Sequence, residues 1–396
     1  MQEIDLKKSL IGKSIFFTIF WLPILNILMY LGLLVSFFGS LKNRVFVKKN
    51  NFLDWSVIAL SLAVFVSVFF SADKILSVYG FLAFLAYPIS YFVFSRNITK
   101  ENLENILNAL IYPSLIVCII GALQFMITTP FMVEHSVFFK NVLGWEAGPS
   151  ILHGGRMVSI LGNSNVLGAY LVLILPVFAC LFFNKPSLKW AFFLILNIFI
   201  LIFTHSKSAL IGFFLGFLMV VLNIRKKPLI FWSFLIPVMF LTALNFSTVI
   251  RTMSGNSSQS RLSIWSTSIN LIVQRPITGW GINTFQEISP AAKVGNFAEQ
   301  LSHAHNMFLN IAVETGIIGL IFFCIFLTGF FVFSFKLYKK IFLNSERNMK
   351  DWILLGIISA NFGFLSQNFM DYFFARGQIG VLFFCFAGIV RAFSED

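Results

Sequence analysis

The stretch 307–335, MFLNIAVETGIIGLIFFCIFLTGFFVFSF, carries a single charged side chain, Glu314. About 20 apolar residues suffice to cross the hydrocarbon layer of a bilayer as a helix. Runs of the same kind recur at roughly 15–41, 52–71, 75–94, 104–128, 162–183, 189–204, 208–222, 229–247, 352–370 and 377–393. They predict an all-α, polytopic integral membrane protein with about 11–12 transmembrane helices, folded as a single membrane domain over 1–396. Segment 15–41 is long for one crossing and short for two. Read as a tight hairpin broken near Pro23 and Asn26, it brings the total to twelve; read as one crossing, to eleven.

Composition points the same way. The chain is 58% hydrophobic and 11% charged, with 52 Phe, whereas a soluble domain carries about 25% charged residues. The net charge of +13 is not a nucleic-acid signature, because the basic residues sit in short clusters between apolar runs. Lys42, Arg44, Lys48 and Lys49 form one such cluster, Arg96 and Lys100 a second, Lys185 and Lys189 a third. Arg225, Lys226 and Lys227 form the fourth, and the fifth runs from Lys336 to Lys350. These occupy alternate connectors, so all five fall on one side, which the positive-inside rule makes cytoplasmic. The other connectors then face outward, and two of them are long: 129–161, and a large periplasmic loop at 248–306. Long connectors in a compact fold usually bind or catalyse.

The N-terminal run follows Lys7, Lys8 and Lys13 and lacks a small-residue cleavage site, so it reads as a retained membrane segment. Cys118, Cys180, Cys324 and Cys385 lie within apolar runs without CxxC spacing and read as packing residues, with neither disulfide nor metal.

The large outer loop ends in Ser302-His303-Ala304-His305-Asn306 and runs directly into a membrane helix. Asn306, Asn310 and Glu314 follow at intervals of four and so share one helix face. A polar stripe therefore descends into the bilayer, where an ionisable group such as Glu314 usually faces a cavity or a partner. The plain alternative is that these side chains only bond neighbouring helices. Gly316 and Gly319 then read as a pair permitting close helix contact.

His305-Asn306, nine residues, then Gly316-Ile317-Ile318-Gly319 resembles the signature H-[NSQ]-x9-G-x-x-[GTY] of the O-antigen ligases. These are bacterial membrane glycosyltransferases similar to O-antigen polymerases and protein O-oligosaccharyltransferases. Gly155-Arg156 and Gly162-Asn163-Ser164-Asn165 resemble that family's Gly-Arg and Gly-Asn-Pro-Asn blocks. Ser260-Arg261 resembles its arginine block, and Pro276-Ile277-Thr278-Gly279-Trp280-Gly281, preceded by Arg275, its Pro-x-x-Gly-x-Gly segment. One position departs: Ser206-Lys207-Ser208 stands where the family commonly has Ser-Arg-Gly. Lysine keeps the charge but loses the bidentate fork that suits phosphate.

The resemblance implies a donor glycan linked to undecaprenyl pyrophosphate and an acceptor hydroxyl, on the lipid A–core of lipopolysaccharide for a ligase or on a second lipid-linked glycan for a polymerase. It implies His305 as general base, with His303 as a secondary neighbour. Arg156, Arg261, Lys207 and Arg275 would hold the pyrophosphate, and Asn163, Asn165, Asn306, Asn310, Glu314, Gly316 and Gly319 would support the site. A histidine's ordinary pKa near 6.5 suits general-base work. For each basic residue the plain alternative is a solvated loop charge or a lipid-headgroup anchor. His135, His153 and His205 carry no assignment. No cofactor is implied: nucleotide-binding glycine loops are missing, and the outer side lacks a dense carboxylate cluster for a metal. The expected location is the bacterial inner membrane, with the active site facing the periplasm among membrane lipids. A reading of another class, a transporter of an anion or lipid-linked sugar, would also place charges beside membrane helices, but paired inverted repeats are not evident.

Overall fold

The structure, a computed structural model, describes residues 10–47, 50–127, 156–223, 256–289, 303–344 and 346–394. Among these residues there is no β-strand. The expected crossing at 229–247, most of the loop 129–161, parts of 248–306, and His135, His153 and Gly155 lie outside the described residues.

Thirteen helices are used below, numbered along the described residues. They are α1 Leu10–Trp21, α2 Asn26–Lys42, α3 Phe52–Phe69, α4 Lys74–Phe84, α5 Ala86–Asn97, α6 Leu103–Ile127, α7 Ser164–Asn184, α8 Leu188–Phe203 and α9 Lys207–Val221. Beyond them come α10 Asn256–Gln274, α11 Met307–Leu343, α12 Met349–Asn368 and α13 Gly377–Ser394. Six helical stretches are long and apolar enough to cross a membrane, with α4 and α5 joined as one of them, and α1, α2, α8 and α9 are shorter apolar helices. The protein is a multi-pass, all-α membrane protein.

Residues 15–41 make two helices rather than one. Ser36 donates to Ser14 at 2.8 Å, and a methyl at Gly32 or Gly39 would run into Thr18 or Ile11, so α1 and α2 pack antiparallel.

Small residues also set the centre of the bundle. A methyl at Gly212 of α9 would sit 2.6 Å from the Gly363 carbonyl oxygen of α12, and one at Gly216 would sit 2.7 Å from that of Ser359. The backbones therefore touch, as small residues allow between membrane helices. They also run antiparallel: four residues down α9 match four residues back along α12. Helix α7 is almost wholly enclosed, and a methyl at its Gly168 would meet Ala209 at 2.6 Å.

One end of the bundle is tied by a buried ion cluster. Asp54, at the start of α3, pairs with Arg96 at 2.9 Å and Arg391 at 3.0 Å and accepts from Tyr91 at 2.9 Å. Asp54 and Arg96 stand beside the basic residues Lys42–Lys49 and Lys100, so this is the basic end. The opposite end, holding the starts of α4, α7, α9, α11 and α13, is the site end.

Two expectations are corrected. Cys118, Cys180 and Cys385 are buried, but Cys324 is exposed on α11 because its face of that helix meets no neighbour among the described residues. The segment 248–306, expected as a loop, is partly regular, since 256–274 fold as α10.

Candidate active site

The entry to α11 is built by Asn306. Its backbone is extended, and its side-chain oxygen accepts from the N–H groups of Phe308 and Leu309 at 2.9 and 3.0 Å. That satisfies amide groups which the first turn of a helix leaves open. The side-chain N–H donates to the Phe369 carbonyl at 3.0 Å, which ties the start of α11 to the end of α12. Asn310 accepts from the backbone N–H of Ala304 at 2.9 Å. With this bend fixed, His305 takes a left-handed backbone, φ 50°, uncommon for a residue with a side chain.

Both loop histidines then meet Asp371, just beyond α12. His305 Nδ1 lies 3.0 Å and His303 Nε2 3.1 Å from the same oxygen, Asp371 Oδ1. That oxygen also accepts from the Tyr372 N–H at 2.9 Å, while Oδ2 has no partner among the described residues. Burial alone would push the Asp371 carboxyl up, but the hydrogen bonds from His303 and His305 outweigh it and hold it well below the usual carboxylate range. His303 moves down from the ordinary imidazole value, chiefly through burial, with the bond to Asp371 opposing. With Nδ1 donating to the carboxylate, His305 keeps its Nε2 lone pair for a proton.

A second group assembles from α7, α9 and α10. Asn163 caps α7, accepting from the Asn165 and Val166 N–H groups. Asn165 in turn accepts from Arg156 Nη2 at 2.7 Å, while Arg156 Nε donates to the Thr204 carbonyl at 2.8 Å. Arg156 and Arg261 both come near enough to Lys207 for their charges to act on it. His205, left-handed at φ 49°, is lowered by burial and then by the Arg156 charge.

Helix register relates the two groups. Extending the Gly212–Gly363 and Gly216–Ser359 pairings brings Lys207 level with Asn368. Asp371 follows three residues past Asn368, where α12 ends. Ile264 and Leu271 of α10 share a small apolar core with Ala304 and Val313, which packs the Arg261 helix beside the histidine loop. The cations and the His–Asp group thus lie at the same end of the bundle.

Arg275 stands apart. It donates to the Phe70 carbonyl at 3.0 Å and lies 4.2 Å over the Trp280 ring. It follows the far end of α10, roughly 20 Å along the helix from Arg261.

The glycine motifs have a different physical basis from the helix contact expected. Helix α11 breaks at Gly316, with φ 66° and ψ −170°, and segment 276–281 takes up the released backbone groups. Trp280 and Gly281 donate to the carbonyls of Val313 and Glu314 at 2.9 and 2.8 Å, and the Ile317 N–H donates to the Pro276 carbonyl at 2.8 Å. Gly279, at φ 69°, approaches so closely that a methyl would sit 2.5 Å from the Gly316 nitrogen. Gly319 instead lies against its own Thr315. The Glu314 carboxylate is buried and accepts from the N–H groups of Asn283 and Phe285, which clamps the same segment. Beyond Tyr372 lies a cavity of about 390 Å³, lined by Glu314, Tyr372, Asn283, Tyr87 and Phe384 among others.

Among the described residues, His303, His305 and Asp371 are the one group able to hold a metal, with ligand atoms within 4.8 Å of one another. Two imidazoles and a carboxylate suit several divalent ions. The observed 3.0–3.1 Å separations onto a single oxygen are those of hydrogen bonds.

Asp371 is the member of the site that sequence reading missed. Its only local signal is an acid in the short connector 371–376.

Fold and site together define a multi-pass membrane protein with a histidine–carboxylate pair beside a cationic cluster at one end of its bundle. Residues 190–324 match the family described as O-Antigen ligase. The chain is 25% identical over 352 residues to an O-antigen polymerase of Salmonella muenchen, covering 82% of this chain and 84% of the relative. It is 28% identical over 231 residues to a ComP-specific O-oligosaccharyltransferase of Acinetobacter baylyi, covering 53% of this chain and 40% of that protein. It is 27% identical over 198 residues to a protein of Rickettsia conorii named as a polysaccharide ligase, covering 42% and 45%. The matches thus span less than half the length of two of these three relatives. These matches make the chain similar to proteins of the O-antigen ligase superfamily.

Proposed function

We propose that this protein transfers a glycan from undecaprenyl pyrophosphate to an acceptor hydroxyl at the periplasmic face of a bacterial inner membrane. The observation that carries the reading is the His305–Asp371 pair at the same end of the bundle as Arg156, Lys207 and Arg261. His305 Nε2 takes the proton of the attacking hydroxyl, and Asp371 stabilises the imidazolium. The sugar–phosphate bond breaks, and the departing pyrophosphate is met by the three cations, which act like other preorganised charge clamps. Every step uses the chain's own residues, without a metal. The basic connectors support the orientation, by the positive-inside rule.

For a ligase the acceptor is the lipid A–core of lipopolysaccharide. A second reading, a polymerase whose acceptor is another lipid-linked glycan, is favoured by the relative matched over most of both chains. The test is a reconstituted assay with undecaprenyl-pyrophosphate-linked glycan and, in separate reactions, lipid A–core or a second lipid-linked unit. Product is expected in one of the two arms and should persist in EDTA. No product in either, with the His305→Ala protein indistinguishable from wild type in donor transport across vesicles, would overturn both enzyme readings. Loss of product in EDTA, restored by a divalent ion, would overturn the metal-free mechanism.

A further inference from the structure

We infer that α10 is an interfacial helix whose outward apolar stripe is seated in the lipid leaflet at the site end of the bundle. The inference rests on the fold and is independent of the proposed reaction.

Both ends of α10 are tied to ends of spanning helices. Near its start, Ile264 shares an apolar core with Ala304, just before α11. Just past its finish, Arg275 donates to the carbonyl of Phe70, which ends α3, and the Ala72 N–H donates to the Trp280 carbonyl at 2.8 Å. A 19-residue helix, roughly 28 Å long, therefore runs along the end of the bundle, in the plane of a membrane surface.

Its sequence divides into three sectors at about 100° per residue. Ile264, Ser268 and Leu271 form the face buried against the protein. Leu262, Ile269 and Val273 lie on the opposite side, within about 40° of one another, and are 63%, 53% and 71% exposed. Between these two faces lies a sector of Ser263, Ser266, Thr267, Asn270 and Gln274. Arg261 is the one charged residue in the helix, whereas a helix bathed in water on its free faces ordinarily carries charges there. With the polar sector turned to water, the apolar stripe points sideways, away from the bundle.

The stripe continues into Ile277, Phe69 and Phe70, all exposed. The last two end a helix that spans the bilayer, so the surface continuous with them is lipid-facing. The occupant that fits is the boundary between headgroups and acyl chains, where amphipathic helices seat their apolar side. This placement holds Arg261 at the depth of lipid phosphates.

The test uses the full chain in proteoliposomes. With Cys324→Ser removing the exposed native thiol, a small fluorophore is attached to cysteine at Val273, Ile269 or Asn270 in turn. Brominated lipids should quench the Val273 and Ile269 probes at least several-fold more than the Asn270 probe, and aqueous iodide should show the reverse order. Equal iodide quenching at all three positions would put the stripe in water and overturn the inference. Protection of Val273 and Ile269 from both quenchers would also overturn it, since the stripe would then be covered by protein, from this chain or a second copy.

Discussion

His305 Nδ1 lies 3.0 Å from Asp371 Oδ1, across the junction of α11 and α12. The bond selects the tautomer with Nε2 as the basic nitrogen, so in the proposed reaction Asp371 acts by positioning and by stabilising the protonated ring. Asp371→Asn should lower kcat by about 10²-fold or more, within the 10²–10⁴ range of general-base effects, with a smaller change in donor KM. His305→Ala should abolish transfer, and His303→Ala should only weaken it. Steady-state kinetics on monodisperse protein would check this; wild-type turnover in Asp371→Asn would remove the pair from the mechanism.

A pH dependence of stability follows from the same group. His303 and Asp371 both have folded-state pKa values below their unfolded ones. Each therefore favours folding above its unfolded value and loses that contribution as pH falls toward the folded one. For His303 the loss begins below about pH 6.5, and for Asp371 only below about pH 3.9. The midpoint of thermal unfolding should decline between pH 6.5 and 5, and less steeply in His303→Asn. Equal slopes in the two proteins would contradict the assignment.

The four basic residues should separate into two classes. Arg156→Ala and Arg261→Ala should each reduce turnover by about 10²–10³-fold, as losing one preorganised group at a developing charge typically does. Lys207→Arg should be tolerated, since it restores the bidentate fork. Arg275→Ala removes a stacking contact of about 0.5–1 kcal/mol and the bond to Phe70, so it should lower the unfolding midpoint while leaving donor KM near wild type. A large rise in donor KM for Arg275→Ala would return it to the clamp.

Helix positions were legible because the bilayer demands long apolar runs: 52–71 became Phe52–Phe69, and 377–393 became Gly377–Ser394. His305 and Asn306 stood out through a local motif of fixed spacing. Asp371 did not, because one acid in a six-residue connector has no pattern until α11 and α12 pack. Helix α10 read as loop since Ser, Thr and Asn fill its polar sector in place of charges. The break at Gly316 was invisible for another reason. A positive φ leaves no mark in sequence beyond the glycine itself, and its partner, segment 276–281, lies about forty residues earlier.

That break sets the last prediction. Gly316 and Gly319 occupy adjacent places in one motif but face different constraints. At Gly316 an added methyl would meet the Ile277 carbonyl, a backbone group, and φ is 66°. A side chain in such a conformation costs about 1–3 kcal/mol before any clash, and moving Ile277 would break the bonds between segment 276–281 and α11. At Gly319 no positive φ is involved, but the methyl would meet the Thr315 hydroxyl and, at 2.3 Å, its Cβ, which rotation of that side chain cannot clear. Gly316→Ala should therefore sharply lower folded yield and unfolding midpoint and abolish transfer. Gly319→Ala should also lower the midpoint, because the Thr315 turn has to shift, but less than Gly316→Ala, since no bond to segment 276–281 is broken. Gly279→Ala, at φ 69° against the Gly316 nitrogen, should behave like Gly316→Ala. Thermal unfolding of the three purified variants decides the matter: equal losses at 316 and 319 would mean that the pair works as a helix contact and that the break carries no special constraint.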